Sequence, residues 1–339
     1  MQRVMGYYSI QLVAIVSFML LLSNAHGWGD DGHTIVCKIA QARLSDTAAE
    51  AVKKLLPKSA ENDLAKKCSW ADHVHHVFPW SSALHYADTP ESVCVYQNSR
   101  DCVDQKTGIK GRCVVAAINN YTTQLLEYGS DTKSRCKSLF QTNNFSDNLT
   151  QALLFLSHFL GDIHQVYMHL YKSQNSHSLL LTITCNDFLH ILNLQPLHCG
   201  FTSDKGGNAI TVLWYKRKTN LHHVWDDSIL ETEVERFYDS DMGEFVDAIQ
   251  QNITKVWADQ VEEWEKCSEN KLPCPAIYAS ESAIDACKWA YKDATEGSLL
   301  NDDYFTTRLP IVNLRLAQAG VRLAAILNRV FDRKLAMSM

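Results

Sequence analysis

SHFLGDIHQ (Ser157–Gln165) and, after thirty intervening residues, PLHCG (Pro196–Gly200) decide how this chain is read. The first piece places His158 and Asp162 four residues apart in a segment that otherwise looks like a buried helix. That spacing puts both side chains on one helical face, one turn apart. An imidazole and a carboxylate beside Leu154, Phe155 and Phe159 are costly to bury unless something holds them. A divalent metal ion would do so.

Working outward, the chain of 339 residues has room for one large domain or two ordinary ones. Its 46% hydrophobic and 21% charged residues suit an ordinary soluble globular protein. The formal charge of −6 gives no bulk attraction to nucleic acid, so a phosphate substrate must be held by a local site. Residues 1–27 read as a signal peptide: Arg3 supplies the positive start, Ile10 to Leu22 the apolar run, and Ala25-His26-Gly27 the cleavage site. Cleavage there makes Trp28 the mature N-terminus. The apolar run is short for a bilayer span, no later stretch comes close, and no stable membrane anchor is expected. A secreted or vacuolar location agrees with eleven cysteines, an odd number that leaves at least one thiol unpaired. Sequons at Asn120, Asn144, Asn148 and Asn252 fit the same route.

Periodicity predicts a helix from a cap at Asp31 or Thr34 to Leu44, and another over Thr47–Leu56. Further helices are expected over Val114–Tyr128, Leu149–Ile163 capped by Asp147, Phe245–Trp264, and Pro310–Phe331 opening on its proline. Cys68–Tyr86 reads as irregular and Cys94–Cys113 as a pinned loop. Asn208–Trp214 is the best strand candidate. Nothing repeats and no linker divides the chain, so a single, mainly α domain with little β-structure is expected over residues 28–339.

A second pair with the same spacing occurs at His222 and Asp226, although a solvated helix pair has that spacing too. Asp72, His85, His198 and His33 are further candidates. Imidazole and carboxylate ligands without a thiolate pattern suit zinc in a catalytic site, and their number leaves room for more than one ion. Clustered metals can stabilise both the attacking and the leaving oxygen of a phosphoryl displacement.

In order along the chain, WGDDGH, WAD, LHYAD, LSHFLGDIHQ, PLHCGFTSDKGGN and NLHHVWD resemble the S1/P1 nuclease family, in particular its plant bifunctional endonucleases. The resemblance implies a disulfide-stabilised helical fold, like that of zinc phospholipase C, with three zinc ions in a cleft. Carried over motif by motif, one zinc falls to Asp72, His85, His158 and a bridging Asp162, and a second to His198, His222 and Asp226. The third falls to His33, Asp162 and the α-amine and carbonyl of Trp28, so an uncleaved chain should lack one ion. The implied chemistry is attack on phosphorus by a zinc-activated water with Asp72 orienting it, giving 5′-phosphates from single-stranded RNA and DNA and also acting on 3′-nucleotides. Tyr86 is implied to stack a base, Asp88 to hydrogen-bond it, and His75 and Asn208 to serve the substrate. The implied disulfides are Cys37–Cys68, Cys94–Cys287, Cys102–Cys113 and Cys267–Cys274, and the chain is expected to be a monomer. Alternative readings are a zinc phospholipase C-like enzyme and an inactive glycoprotein isoform.

Two departures stand out. In the family GDIHQ runs straight into PLH, whereas here Val166–Gln195 intervenes. It begins with a valine, whose codons start GT, and ends with a glutamine, which can be CAG, as an in-frame retained intron would. The second departure is His75, where the family usually has Lys or Arg near the phosphate. A protonated imidazole binds phosphate better than a neutral one, so activity is expected to be weighted to acidic pH. His75→Ala should flatten that acidic bias in a pH–rate profile; an unchanged profile removes the idea.

Overall fold

The computed structural model describes residues 28–91, 93–128, 145–165, 202–267 and 273–337. Residues 1–27, where a signal peptide is expected, and Asn144, Val166–Gln195, His198, Cys136, Cys185 and Cys199 lie outside the described residues. The larger helices are α1 (Asp30–Gln41), α2 (Asp46–Leu55), α3 (Val114–Leu125) and α4 (Phe145–Asp162), then α5 (Ile229–Phe237) and α6 (Met242–Lys255). They are followed by α7 (Ala258–Glu265), α8 (Pro275–Asp285) and α9 (Asp302–Met337). One small sheet joins β1 (Thr211–Trp214) antiparallel to β2 (Arg217–Asn220) and parallel to β3 (Leu299–Leu300). The protein is mainly helical, as the sequence suggests.

α4 runs through the middle. Leu149, Leu153, Leu154, Phe155, Leu156, Phe159 and Leu160 are all buried, as in a core helix, with His158 and Asp162 buried among them. It packs on α3, α9, α1 and α2. Phe155 stacks on Tyr121 of α3 with ring centres 5.1 Å apart and meets Trp70 edge-on at 5.0 Å. Buried apolar residues from Trp28 to Phe331 form one continuous core. α2 starts where Ser45 caps it, accepting from Ala48 N–H, while the Ser45 hydroxyl donates to Asp332 on α9 at 2.7 Å. α9 is long and apolar enough to cross a membrane, but two-thirds of the relevant window is buried inside the protein. It is a core helix.

The differences from the sequence reading have local causes. α9 begins at Asp302 and carries Pro310 inside it, because Asn301 caps the helix upstream, its side chain accepting from Asp303 N–H. The expected helix over Phe245–Trp264 is two helices: Val256 and Trp257 both donate to the Asn252 carbonyl, which breaks the i→i−4 ladder. Asp147 lies inside α4 rather than capping it. Asn208 precedes β1, in a turn that Asp204 organises by accepting from Gly207 N–H. Cys68–Tyr86 contains a one-turn helix, Trp70–His73, and a 3-10 turn, Pro79–Leu84.

All four implied disulfides form: Cys37–Cys68, Cys94–Cys287, Cys102–Cys113 and Cys267–Cys274. The first ties α1 to the loop leading to Asp72. On loop-entropy grounds its removal costs about 3–4 kcal/mol. Replacing both Cys37 and Cys68 by serine should therefore lower the chemical-denaturation free energy by roughly that amount, whereas the Cys267–Cys274 pair, closing a short loop, should matter less.

Candidate metal centre and active site

The centre is built where α1, the Trp70–His73 turn, the end of the Pro79–Leu84 turn and α4 meet. α1 supplies His33, the first turn Asp72, the residue after the second His85, and α4 supplies His158 and Asp162. All five are buried, none more than 6% exposed. Asp162 and Asp72 lie between the three imidazoles. Asp162 Oδ2 is 3.0 Å from His85 Nδ1 and 3.2 Å from His158 Nε2, while its Oδ1 is 3.3 Å from His33 Nε2. Asp72 Oδ1 is 3.2 Å from His158 Nε2 and 3.4 Å from His85 Nδ1. His33, Asp72 and His158, and likewise His85, His158 and Asp162, converge closely enough to share an ion.

The ring orientations are fixed from outside the cluster. His158 Nδ1 lies 2.8 Å from the Cys68 carbonyl; donation there leaves Nε2 with its lone pair facing the carboxylates. Such a second partner is what orients a metal-ligating imidazole. His33 stacks on His158, centres 3.8 Å apart, and neither of its ring nitrogens has a hydrogen-bond partner among the described residues. Burial and the neighbouring His158 hold the His33 imidazole below its usual range. Burial also opposes charge on His158, but the Asp162 and Asp72 carboxylates outweigh it and push that imidazole well up. A dry pocket of imidazole and carboxylate groups, in which His33 Nδ1 has no hydrogen-bond partner among the described residues, fits a bound divalent cation better than it fits protons alone.

Gly161 is needed for the stacking. A Cβ there would lie 2.6 Å from His33 Nδ1, so only glycine lets α1's ring settle against α4.

The second pair is also formed, with His222 Nε2 2.6 Å from Asp226 Oδ2. His222 lies in the short helix Leu221–His223 and Asp226 sits in a π-helical turn, Val224–Ser228. Such turns recur at functional sites. His222 Nδ1 faces the Gly206 carbonyl at 3.3 Å and the Asn208 amide at 3.1 Å. Burial pushes the Asp226 carboxyl well up, with the Asp227, Asp72 and Asp162 charges adding to it, so the two pairs are within electrostatic reach. The Asp226 carbonyl accepts from Gly29 N–H, which brings the start of α1 alongside. Trp28, with its side chain fully buried, stands next to that junction.

The implied substrate residues are more scattered. His75 is half-buried, its Nδ1 2.7 Å from the Asp72 carbonyl, so it shares the Asp72 turn. Asn208 is half-buried, its amide 3.1 Å from His222 Nδ1. Tyr86 and Asp88 are each only 3% exposed, and burial with the Asp88 and Asp104 charges raises the Tyr86 hydroxyl's pKa. A base could reach either residue only after neighbouring groups move. Among the sequons, Asn120 is exposed on α3, while Asn148 and Asn252 are half-buried. Sequence reasoning passed over Gln165, whose amide donates to Asp226, and Gly161, although both stand inside the motif that opened the reading.

The S1/P1 Nuclease family profile matches residues 28–176 and 189–332. The chain belongs to the S1/P1 nuclease family. Endonuclease 2 of Arabidopsis thaliana is 50% identical over 326 residues, covering 96% of this chain and 98% of the relative. Endonuclease 4 of the same plant is 46% identical, covering 93% and 92%. Nuclease S1 of Aspergillus oryzae is 27% identical, covering 94% and 98%. The protein is therefore a nuclease of S1/P1 type, with candidate metal-binding groups. The family match breaks only over residues 177–188, a narrower gap than Val166–Gln195.

Gly161→Ala should displace His33 without unfolding α4, since alanine is the better helix former by about 1 kcal/mol. Metal analysis of that variant should find fewer bound ions than in the wild type, at a metal-free melting temperature within a few degrees of it. Full metal occupancy would show that His33 is not a ligand.

Proposed function

We propose that this S1/P1 nuclease is a zinc-dependent endonuclease. In this reading it hydrolyses single-stranded DNA and RNA to 5′-phosphate products and acts on 3′-nucleotides, as a monomer delivered through the secretory pathway. The observation that carries it is the buried set of three imidazoles around Asp72 and Asp162. In this reading Asp72, His85, His158 and Asp162 hold one zinc. His33, Asp162 and the α-amine and carbonyl of Trp28 hold a second, and His198, His222 and Asp226 a third. Bound zinc would supply Lewis acidity and an acidified water.

The chain's own residues do the rest. Asp72 presents a carboxylate at the junction of the His33, His85 and His158 rings, where it can take a hydrogen bond from the attacking water. Asp162, spanning the rings with both oxygens, keeps the ligand sets at a fixed separation. His75 donates Nδ1–H to the Asp72 carbonyl, and as the imidazolium can also donate from Nε2 to a phosphate oxygen. Burial of the cluster excludes bulk water, which strengthens the interactions inside it. No protein nucleophile is needed.

The support for nucleic acid over phospholipid is the family membership and the nuclease relatives. The reading is tested by offering the mature protein single-stranded DNA, duplex DNA, RNA and phosphatidylcholine, with and without a chelator. Single strands should be cut to 5′-phosphate ends, with loss of at least a hundredfold in rate on chelation and recovery on adding zinc. Cleavage of phosphatidylcholine in preference to single strands would overturn it. Comparison with a chain lacking Val166–Gln195 separates an active nuclease from an inactive isoform: activity that appears only on deletion identifies the latter.

A further inference from the structure

We propose that Gln165 is a positioning residue that ties the two halves of the metal centre together, and that a buried clamp on the end of α4 holds it in place. The inference rests on the reading of the site as a zinc centre, and goes beyond it in assigning residues outside the ligand set.

Gln165 is 1% exposed and lies three residues beyond Asp162, its backbone N–H donating to the Asp162 carbonyl at 3.1 Å. Its side-chain amide donates to Asp226 Oδ1, while Asp226 Oδ2 faces His222 Nε2. One oxygen of Asp226 is thus occupied by Gln165 and the other is turned toward the ligand side. A carboxylate so held has lost the freedom to rotate, as second-layer partners of metal ligands require. The other polar side-chain atom, Gln165 Oε1, is buried with no hydrogen-bond partner among the described residues, so no hydrogen bond from that oxygen accounts for the side chain's place. The contact to Asp226 does.

The reach from α4 to Asp226 depends on where α4 ends. Three consecutive features fix that point. Ser282 on α8 donates its hydroxyl to the Ile163 carbonyl at 2.6 Å. Arg315 on α9 donates Nε–H to the His164 carbonyl at 3.1 Å, and its remaining donors go to Glu281, Gln318, Ser282 and the Tyr278 carbonyl. The His164 ring sits between, Nδ1 2.7 Å from the Leu160 carbonyl and Nε2 2.8 Å from Arg322. Arg322 in turn pairs with both oxygens of Glu281. Carbonyls at a helix end normally lack partners, and here they are taken by side chains from two other helices. A buried arginine is expensive unless its donors are used; Arg315 uses Nε–H on the end of α4 and the others on the α8 and α9 groups that surround it.

The test uses the mature full chain and three variants: Gln165→Met, which keeps the volume and removes the donor, Gln165→Glu, which sets a carboxylate against Asp226, and Ser282→Ala, which loosens the clamp by one hydroxyl. Zinc stoichiometry and affinity are read by native mass spectrometry and titration, beside kcat, KM for a 3′-nucleotide, and the melting temperature of the chelated protein. Gln165→Met should weaken one zinc by about 10- to 100-fold, lower kcat in proportion with KM little changed, and leave the chelated melting temperature within a few degrees. Gln165→Glu should be worse, and Ser282→Ala should shift the same zinc several-fold. A Gln165→Met or Ser282→Ala chain that melts lower yet binds every zinc at wild-type affinity would make these residues merely structural and overturn the proposal. If instead the wild type takes up zinc and cuts single strands while Gln165→Met does both equally well, the proposal fails and the reading of function stands. A wild type that takes up no zinc overturns both.

Discussion

Two carboxylates and three imidazoles share a space with almost no access to water, and the rest of the structure is arranged around that fact. Groups of this kind are stable in a dry interior only when each is matched by an opposite charge, a hydrogen bond or a metal. Here Asp162 and Asp72 match the imidazoles electrostatically, yet the His33 ring has no hydrogen bond among the described residues. Burial disfavours charge on both His33 and His158; the Asp162 and Asp72 carboxylates outweigh it at His158 but not at His33, so the cluster behaves as a set of groups competing for few protons. A divalent cation resolves that competition without moving any of them far.

The scaffold shows how the arrangement is kept. α4 carries two of the five groups and is held on every side by apolar packing, so its pitch sets the spacing of His158 and Asp162. The Cys37–Cys68 bridge brings α1 and the loop before Asp72 to the same place, and the Cys68 carbonyl also orients His158. One disulfide thus serves stability and ligand geometry together. At the far end of α4, the Arg315–Glu281–Arg322 network makes a second fixed point. It lies at the last described residues before the stretch that separates Asp162 from His198. The position of Asp162 is therefore set by packing and by this network, on the near side of the divergent segment.

Much of this was legible in the sequence. The four-residue spacings at His158–Asp162 and His222–Asp226 are the observed pairs, and the ordered motifs led to the family that the profile match then showed. The core helices could be read because an apolar repeat at helical period leaves few alternatives. What was not legible has a common cause. β2 and β3 are polar or very short and exist only through pairing with β1, so no local pattern announces them. The start of α9 depends on an asparagine cap, which the more conspicuous Pro310 obscured. Gln165 and Gly161 matter through partners on other elements, Asp226 and His33, and a motif shows a residue without showing what it touches. Tyr86 and Asp88 came as a base-binding pair only through the family resemblance, and how deeply tertiary packing buries both is not written in their local sequence.

The central claim is that the buried His33–Asp72–His85–His158–Asp162 cluster is a zinc site. Anomalous diffraction from crystals of the protein, recorded on either side of the zinc absorption edge, tests it most directly. The account predicts zinc peaks within coordination distance of Asp162 and its neighbouring imidazoles. Crystals grown with zinc that show the cluster intact, with no anomalous density among those five residues, would contradict it.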